Sequence, residues 1–231
     1  MVTKRNETAA RRGRPALTRS TGLICVAAAA GALLAGCGND DGDSTQTDTS
    51  TAGRAASPST SPSSDGGSLT DDQRERKELV PKAKVGYDKA LDAAVATVDK
   101  AKPVSIELKG TPDKPVWKAE VAAADGATHD VDVDAVTGKA GQARADKDQD
   151  QDDKRELADW LKKATVTAQQ AAQTATDKKK GTVTSVELDD SDKGDTVLWS
   201  VDVVTTDDWN KTTYDVDATN RKIVREHVDR D

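Results

Sequence analysis

Ser105-Ile106-Glu107-Leu108 and Ser185-Val186-Glu187-Leu188 are one four-residue pattern met twice, 80 positions apart. They belong to an ordered series. Asp71-Asp72-Gln73-Arg74-Glu75 matches Asp152-Asp153-Lys154-Arg155-Glu156, Lys82-Ala83 matches Lys163-Ala164, and Val85 matches Val166. Further on, Trp117 and Val121 match Trp199 and Val203, and Val133-Asp134-Ala135 matches Val216-Asp217-Ala218. The offset drifts by single residues only, as insertions at hairpin tips would cause. Such self-similarity marks a structural unit present in two copies.

Each copy reads as helix followed by strands. Thr70-Asp71-Asp72-Gln73 and Thr167-Ala168-Gln169-Gln170 have the Thr-x-x-Gln form of a capping box. Leu157, Trp160, Leu161 and Ala164 share one helical face, as do Tyr87, Leu91, Ala94 and Val98. Pro81 is expected to break the first copy's leading helix. The apolar period then changes to two: Val104, Ile106, Leu108; Trp117, Ala119, Val121; Val131, Val133. The second copy follows with Val186, Leu188; Trp199, Val201, Val203; Tyr214, Val216. Ala124-Asp125-Gly126 and Asp207-Asp208-Trp209-Asn210 mark hairpin turns. The expected fold is α+β, two tandem small domains, each a helix packed on a three-stranded antiparallel sheet. The first spans 71–145; the second, with an acidic linker, spans 146–231.

The Ala-rich helix, the strand ending in Glu-Leu, the Trp-led strand and the ending Val131-Asp132-Val133-Asp134-Ala135-Val136-Thr137-Gly138-Lys139 together resemble the PepSY domain. The resemblance covers about 85–142 and 166–224. In the second copy Arg221 stands where Gly138 stood, which predicts a different turn with Asn220 taking the positive φ. The resemblance implies a non-catalytic unit of the kind found in propeptides of secreted proteases, where it is thought to inhibit the protease, and in envelope lipoproteins. The Ala- and Asp-rich composition is similar to that of secreted actinomycete proteins.

Composition agrees with a thin core. Leu, Ile, Val and Phe total 37 of 231 residues, or 16 %, with six aromatics and no Phe. That composition argues against a large enzyme core. The N-terminus carries six basic residues, Lys4 to Arg19, then an uncharged stretch ending Leu34-Ala35-Gly36-Cys37. A basic segment, a short apolar segment and small residues form a secretory signal, 1–36, whose apolar part is too short to span a membrane comfortably. The ending resembles the bacterial lipobox, which makes Cys37 the lipidation site, with several acyl chains giving stable anchorage. Arg11-Arg12 leaves export by the general or the twin-arginine route open. Removing 1–36 takes away six basic and one acidic residue, leaving 28 and 40 and a net charge of −12. That balance argues against binding nucleic acid or anionic headgroups through charge. Residues 37–70, rich in Ser, Thr, Asp and Gly, form an expected disordered tether of roughly 30 Å.

Candidate chemistry is sparse. Beyond the signal, Cys37 is the sole cysteine, so thiol catalysis and Cys-ligated zinc are excluded. His129 and His227 lie in no metal-binding spacing and read as surface residues. Asp148-Gln149-Asp150-Gln151-Asp152 begins like a calcium loop but lacks its Gly and Glu, and reads as an acidic linker favouring the next helix's start. Asp130, Asp132 and Asp134 alternate on a strand, about 6.6 Å apart by strand rise, and read as the water-facing side of a sheet. Asp134 and Asp217 suit Asx-type turns. Trp117 and Trp199 read as repeated core anchors, and Trp209, in a turn, as the candidate partner contact.

The expected function is a lipid-anchored protein on the outer face of the cell membrane that binds envelope proteins and regulates a secreted peptidase. It needs no cofactor and no metal and is not an enzyme. The rival readings are a module binding cell-wall material or a small ligand between the two domains, and an enzyme using the strand carboxylates.

Overall fold

The computed structural model describes residues 68–191 and 196–229. The segments expected to form the signal (1–36) and nearly all of the tether, with Cys37, lie outside the described residues. In chain order come α1 (Asp71–Leu79), α2 (Tyr87–Val95), β1 (Lys102–Thr111), β2 (Lys114–Ala122), β3 (Thr128–Asp134) and β4 (Arg144–Ala145). The second copy supplies α3 (Gln151–Lys163), α4 (Ala168–Lys178), β5 (Thr182–Asp190), β6 (Val197–Val204), β7 (Lys211–Asp217) and β8 (Ile223–Asp229).

The helices begin where side chains satisfy their first backbone N–H groups. Thr70 Oγ1 accepts from Gln73 N, and Gln73 Oε1 accepts from Thr70 N. Thr167 and Gln170 repeat this at α4. Asp150 caps α3, accepting from Asp152 N and Asp153 N. Pro81 ends α1 as expected, inside a 3₁₀ turn over Val80–Lys82.

Each copy is an α+β unit, but its sheet has four strands rather than three, and the two sheets are one. The order is β4-β3-β2-β1-β5-β6-β7-β8, every neighbour antiparallel. The fourth strands were hidden in the sequence. β4 is two residues long, and β8, Ile223-Val224-Arg225-Glu226-His227-Val228-Asp229, has no apolar alternation and reads as a charged tail. An edge strand is held by its ladder and needs little burial, and charge on it discourages further pairing. Arg225 pairs across the ladder with Asp215, itself 3 % exposed.

The copies meet through their first strands: Ser105 lies opposite Glu187, Ile106 opposite Val186, and Glu107 opposite Ser185. Ile106 and Val186 are counterparts in the repeat. A pseudo-two-fold axis therefore passes between them, the geometry of an isologous dimer built within one chain. The leading helices cross this axis. Gln73 Nε2 donates to Asn210 Oδ1 (2.8 Å) and Arg76 Nε to the Trp209 carbonyl (2.8 Å), tying α1 to the second copy's hairpin. Reciprocally, Gln149 Nε2, just before α3, donates to the Gly126 carbonyl (2.9 Å) of the first copy's hairpin. The expected pair of separate sheets is thus a single layer with one continuous core.

α2 packs on β1–β3 and α4 on β5–β7, all on one face. Their buried residues are mostly alanines: Ala90 and Ala94, then Ala168, Ala171, Ala172 and Ala175. Small side chains bring the helices close to the sheet, so a composition poor in large apolar residues still closes a core. Trp117 (1 % exposed) and Trp199 (3 %) fill the space between. Their indole N–H groups donate to the carbonyls of Val85 and Val166 at 2.9 and 2.8 Å. The Val85 and Val166 amides donate to Ala135 and Ala218. In each copy the segment entering the second helix is therefore pinned to two strands.

The turn after the third strand corrects one expectation. Arg221, not Asn220, takes the positive φ, at +66°, matching Gly138 at +76°. The Arg221 guanidinium donates to Thr174 Oγ1 and to the Gln170 carbonyl on α4. These bonds offset the roughly 1–2 kcal/mol that a left-handed L-residue costs. Asn220 is occupied otherwise, its side chain bonding Asp217 Oδ2 and accepting from Lys222 N.

Candidate functional site

The helices cover one face of the sheet and leave the other uncovered. On that open face the registers set out a row across six strands: Asp130, Glu120, Ser105, Glu187, Ser200 and Asp215. Glu120 is the perturbed group. Partial burial, then the charges of Asp130, Asp146 and Glu187, push its carboxyl up to about 7. Like charges directly opposite on paired strands repel, and Glu120 faces Asp130. The nearby cations are engaged with Asp132 instead: Lys118 at 3.7 Å and Arg144 at 3.2 Å. Sequence reading singled out Asp130 and Asp132 but missed Glu120, because only the β2–β3 register brings the carboxylates together.

A pH effect follows. The folded-state pKa of Glu120 lies above its ordinary value of 4.5. Its contribution to stability is full below about 4.5 and is lost as pH rises through about 7. Glu120→Gln removes that loss. It is expected to raise the unfolding free energy at pH 8 by about 1–3 kcal/mol and to leave it nearly unchanged at pH 4. Urea unfolding at the two pH values measures this; an equal effect at both would contradict it.

The other sequence candidates fall into place. Asp130 and Asp132 lie on the open face, as the alternation implied. Asp134 closes a turn, accepting from Val136 N and Thr137 N, and these backbone bonds, Thr137 first, hold its carboxyl below the usual range. Asp217 does the same for Thr219. Asp150 serves as the cap of α3, and no group of three or more His, Cys, Asp or Glu is placed to hold a metal ion among the described residues.

His129 lies in β3 opposite Val121 and Ala145, half-buried on the helix side, with Nδ1 buried and lacking a hydrogen-bond partner. His227 is exposed in β8. Trp209 is half-buried and packs against the core, at φ +57° in the position where the first copy has Gly126 at +87°.

Where the copies meet on the helix side there is a groove of about 400 Å³, lined by residues of both copies. Sequence reading had no means of placing it.

The class of protein that the fold defines is a duplicated α+β unit with one continuous antiparallel sheet. The family model "Peptidase propeptide and YPEB domain" matches residues 84–140 and 165–227, and the chain belongs to this PepSY family. Among solved structures, a proposed lipoprotein of Clostridium difficile 630 (CD1622) matches 63 % of this chain and 94 % of its own at 21 % identity and a TM-score of 0.41. The YpmB protein of Bacillus subtilis matches 62 % of this chain and 98 % of its own, at 17 % identity and a TM-score of 0.27. No curated protein matches. No helix among the described residues is long and apolar enough to cross a membrane.

Proposed function

We propose that this chain is a lipid-anchored extracytoplasmic protein that binds proteins at the cell envelope and slows a secreted peptidase, without catalysing a reaction itself. The observation carrying this reading is the double family match, since the matched unit is of the propeptide kind. The lipobox-like Leu34-Ala35-Gly36-Cys37 ending supports anchorage through Cys37, and Trp209 remains the candidate contact.

The purified protein at micromolar concentration is expected to slow one or more of the organism's own secreted metallopeptidases and to retain the same enzyme in a capture experiment. If no peptidase is slowed and none is retained, the inhibitor reading fails. A second reading, a small ligand held between the copies, is favoured by the groove at the seam.

A further inference from the structure

The pseudo-two-fold relation lets the two sides of the seam be compared residue by residue. Lys102 opens β1 and Thr182 opens β5, opposite the counterparts Ala122 and Val204. Leu161 and Val80 are counterparts at the ends of α3 and α1. On one side the Lys102 side chain crosses the seam and Nζ donates to the Leu161 carbonyl at 2.9 Å. Beside it, Gln169 Nε2 donates to Asp92 Oδ1 at 3.3 Å, joining α4 to α2.

Neither closure exists on the other side. Thr182 is too short to cross. The counterpart of Gln169 is Asp88, which when ionised can accept but not donate, and the counterpart of Asp92 is Gln173, whose amide goes to Asp177. What remains open there is the groove, with Val80, Leu108 and Val183 among its apolar walls and Tyr87 and Asp88 on its border. Asp88 is exposed and has no partner among the described residues.

We propose that this groove takes the side chain of a lysine presented by a partner protein. The stem lies along the apolar walls, and the ammonium is directed to Asp88 and the carbonyl end of α1, reproducing what Lys102 does across the axis. A lysine stem covers apolar surface while its head keeps polar contacts. The ammonium's three donors suit a carboxylate together with last-turn carbonyls, which favour cations. The proposal rests on the protein-binding reading and names what on the partner is recognised.

The test titrates the purified protein with the capped peptide acetyl-Ala-Lys-Ala-amide and with its norleucine analogue, reading the amide resonances of Gly86, Gly181 and Thr182. The lysine peptide is expected to shift them saturably and the norleucine peptide at least tenfold more weakly. Asp88→Asn, at an exposed position, weakens the lysine peptide about tenfold. Thr182→Lys abolishes binding, because the chain's own lysine fills the groove.

Equal binding of the two peptides, undiminished binding by Thr182→Lys, or no shift at millimolar peptide each overturns the proposal. A free alkyl diamine binding more tightly than the peptide overturns the protein source in favour of a small amine. Peptide binding is read without any peptidase. A protein that binds lysine peptide yet inhibits nothing loses only the inhibitor reading, and one that inhibits but ignores the peptide loses only this site.

Discussion

Trp117→Ala lowers the unfolding free energy by about 3–5 kcal/mol, the usual cost of emptying a core position of this size. Ordinary domains hold only about 5–15 kcal/mol, so the variant is expected to lose a large share of the total stability and to unfold at a markedly lower urea concentration. Two losses combine. The indole is 1 % exposed between α2 and the sheet, and its N–H satisfies the Val85 carbonyl. Trp199→Ala removes the equivalent indole and its bond to Val166 and is expected to cost a similar amount. Trp117→Phe keeps most of the volume and costs about 1–2 kcal/mol, chiefly through the orphaned carbonyl.

Because both copies share one core and one sheet, each alanine variant is expected to melt the whole 70–229 body in a single transition. Urea unfolding followed by far-ultraviolet circular dichroism measures this. Two separate transitions, one per copy, would contradict the shared core. A loss below about 1 kcal/mol would contradict the role of the indoles.

The second large effect is expected at Gly126. Its φ of +87° disfavours any L side chain, and a Cβ there would stand 1.9 Å from the Lys154 carbonyl oxygen and 3.2 Å from the Ala158 amide, both backbone atoms of α3. Neither can yield without moving the helix. Gly126→Ala is therefore expected to cost about 2–4 kcal/mol, combining backbone strain with loss of α3 from the first copy's hairpin. Hydrogen exchange separates this from general weakening: amides of 151–163 lose protection first, while those of α2 keep theirs longer. Gly141→Ala is the control, since its φ is not positive and its Cβ would meet one backbone oxygen at 3.2 Å. Equal loss of protection in α2 and α3 would show that Gly126 does not hold the crossing.

The unit and much of its interior were legible because they follow local rules. The change of apolar period from 3.6 to 2 located α2, β1, β2 and β3, and Thr70, Thr167 and Pro81 marked helix ends by chemistry that acts within four residues. The matched positions of Trp117 and Trp199 pointed to the core for the same reason: a duplicated unit repeats what its packing requires. β8 escaped because an edge strand of charged residues owes its conformation to the ladder with β7, not to burial of its own. The Arg221 turn was misjudged because intrinsic preference favoured Asn220, whereas the guanidinium's bonds to α4 decide the matter.

The functional surfaces divide along the same line. A duplicated α+β unit of the PepSY kind, its helix caps, its Asx turns at Asp134 and Asp217, and the expectation of Cys37 as an anchor could all be read from the chain, because each depends on its neighbours there. Long-range pairing alone makes the two units share one sheet, sends α1 and α3 to the opposite copy, sets Glu120 against Asp130, and lets Lys102 close one side of the seam while Thr182 leaves the other open. Those outcomes depend on the antiparallel registers β1–β2, β2–β3 and β1–β5, which bring together residues as many as 82 positions apart. A shift by one residue in any of them would turn every side chain to the other face.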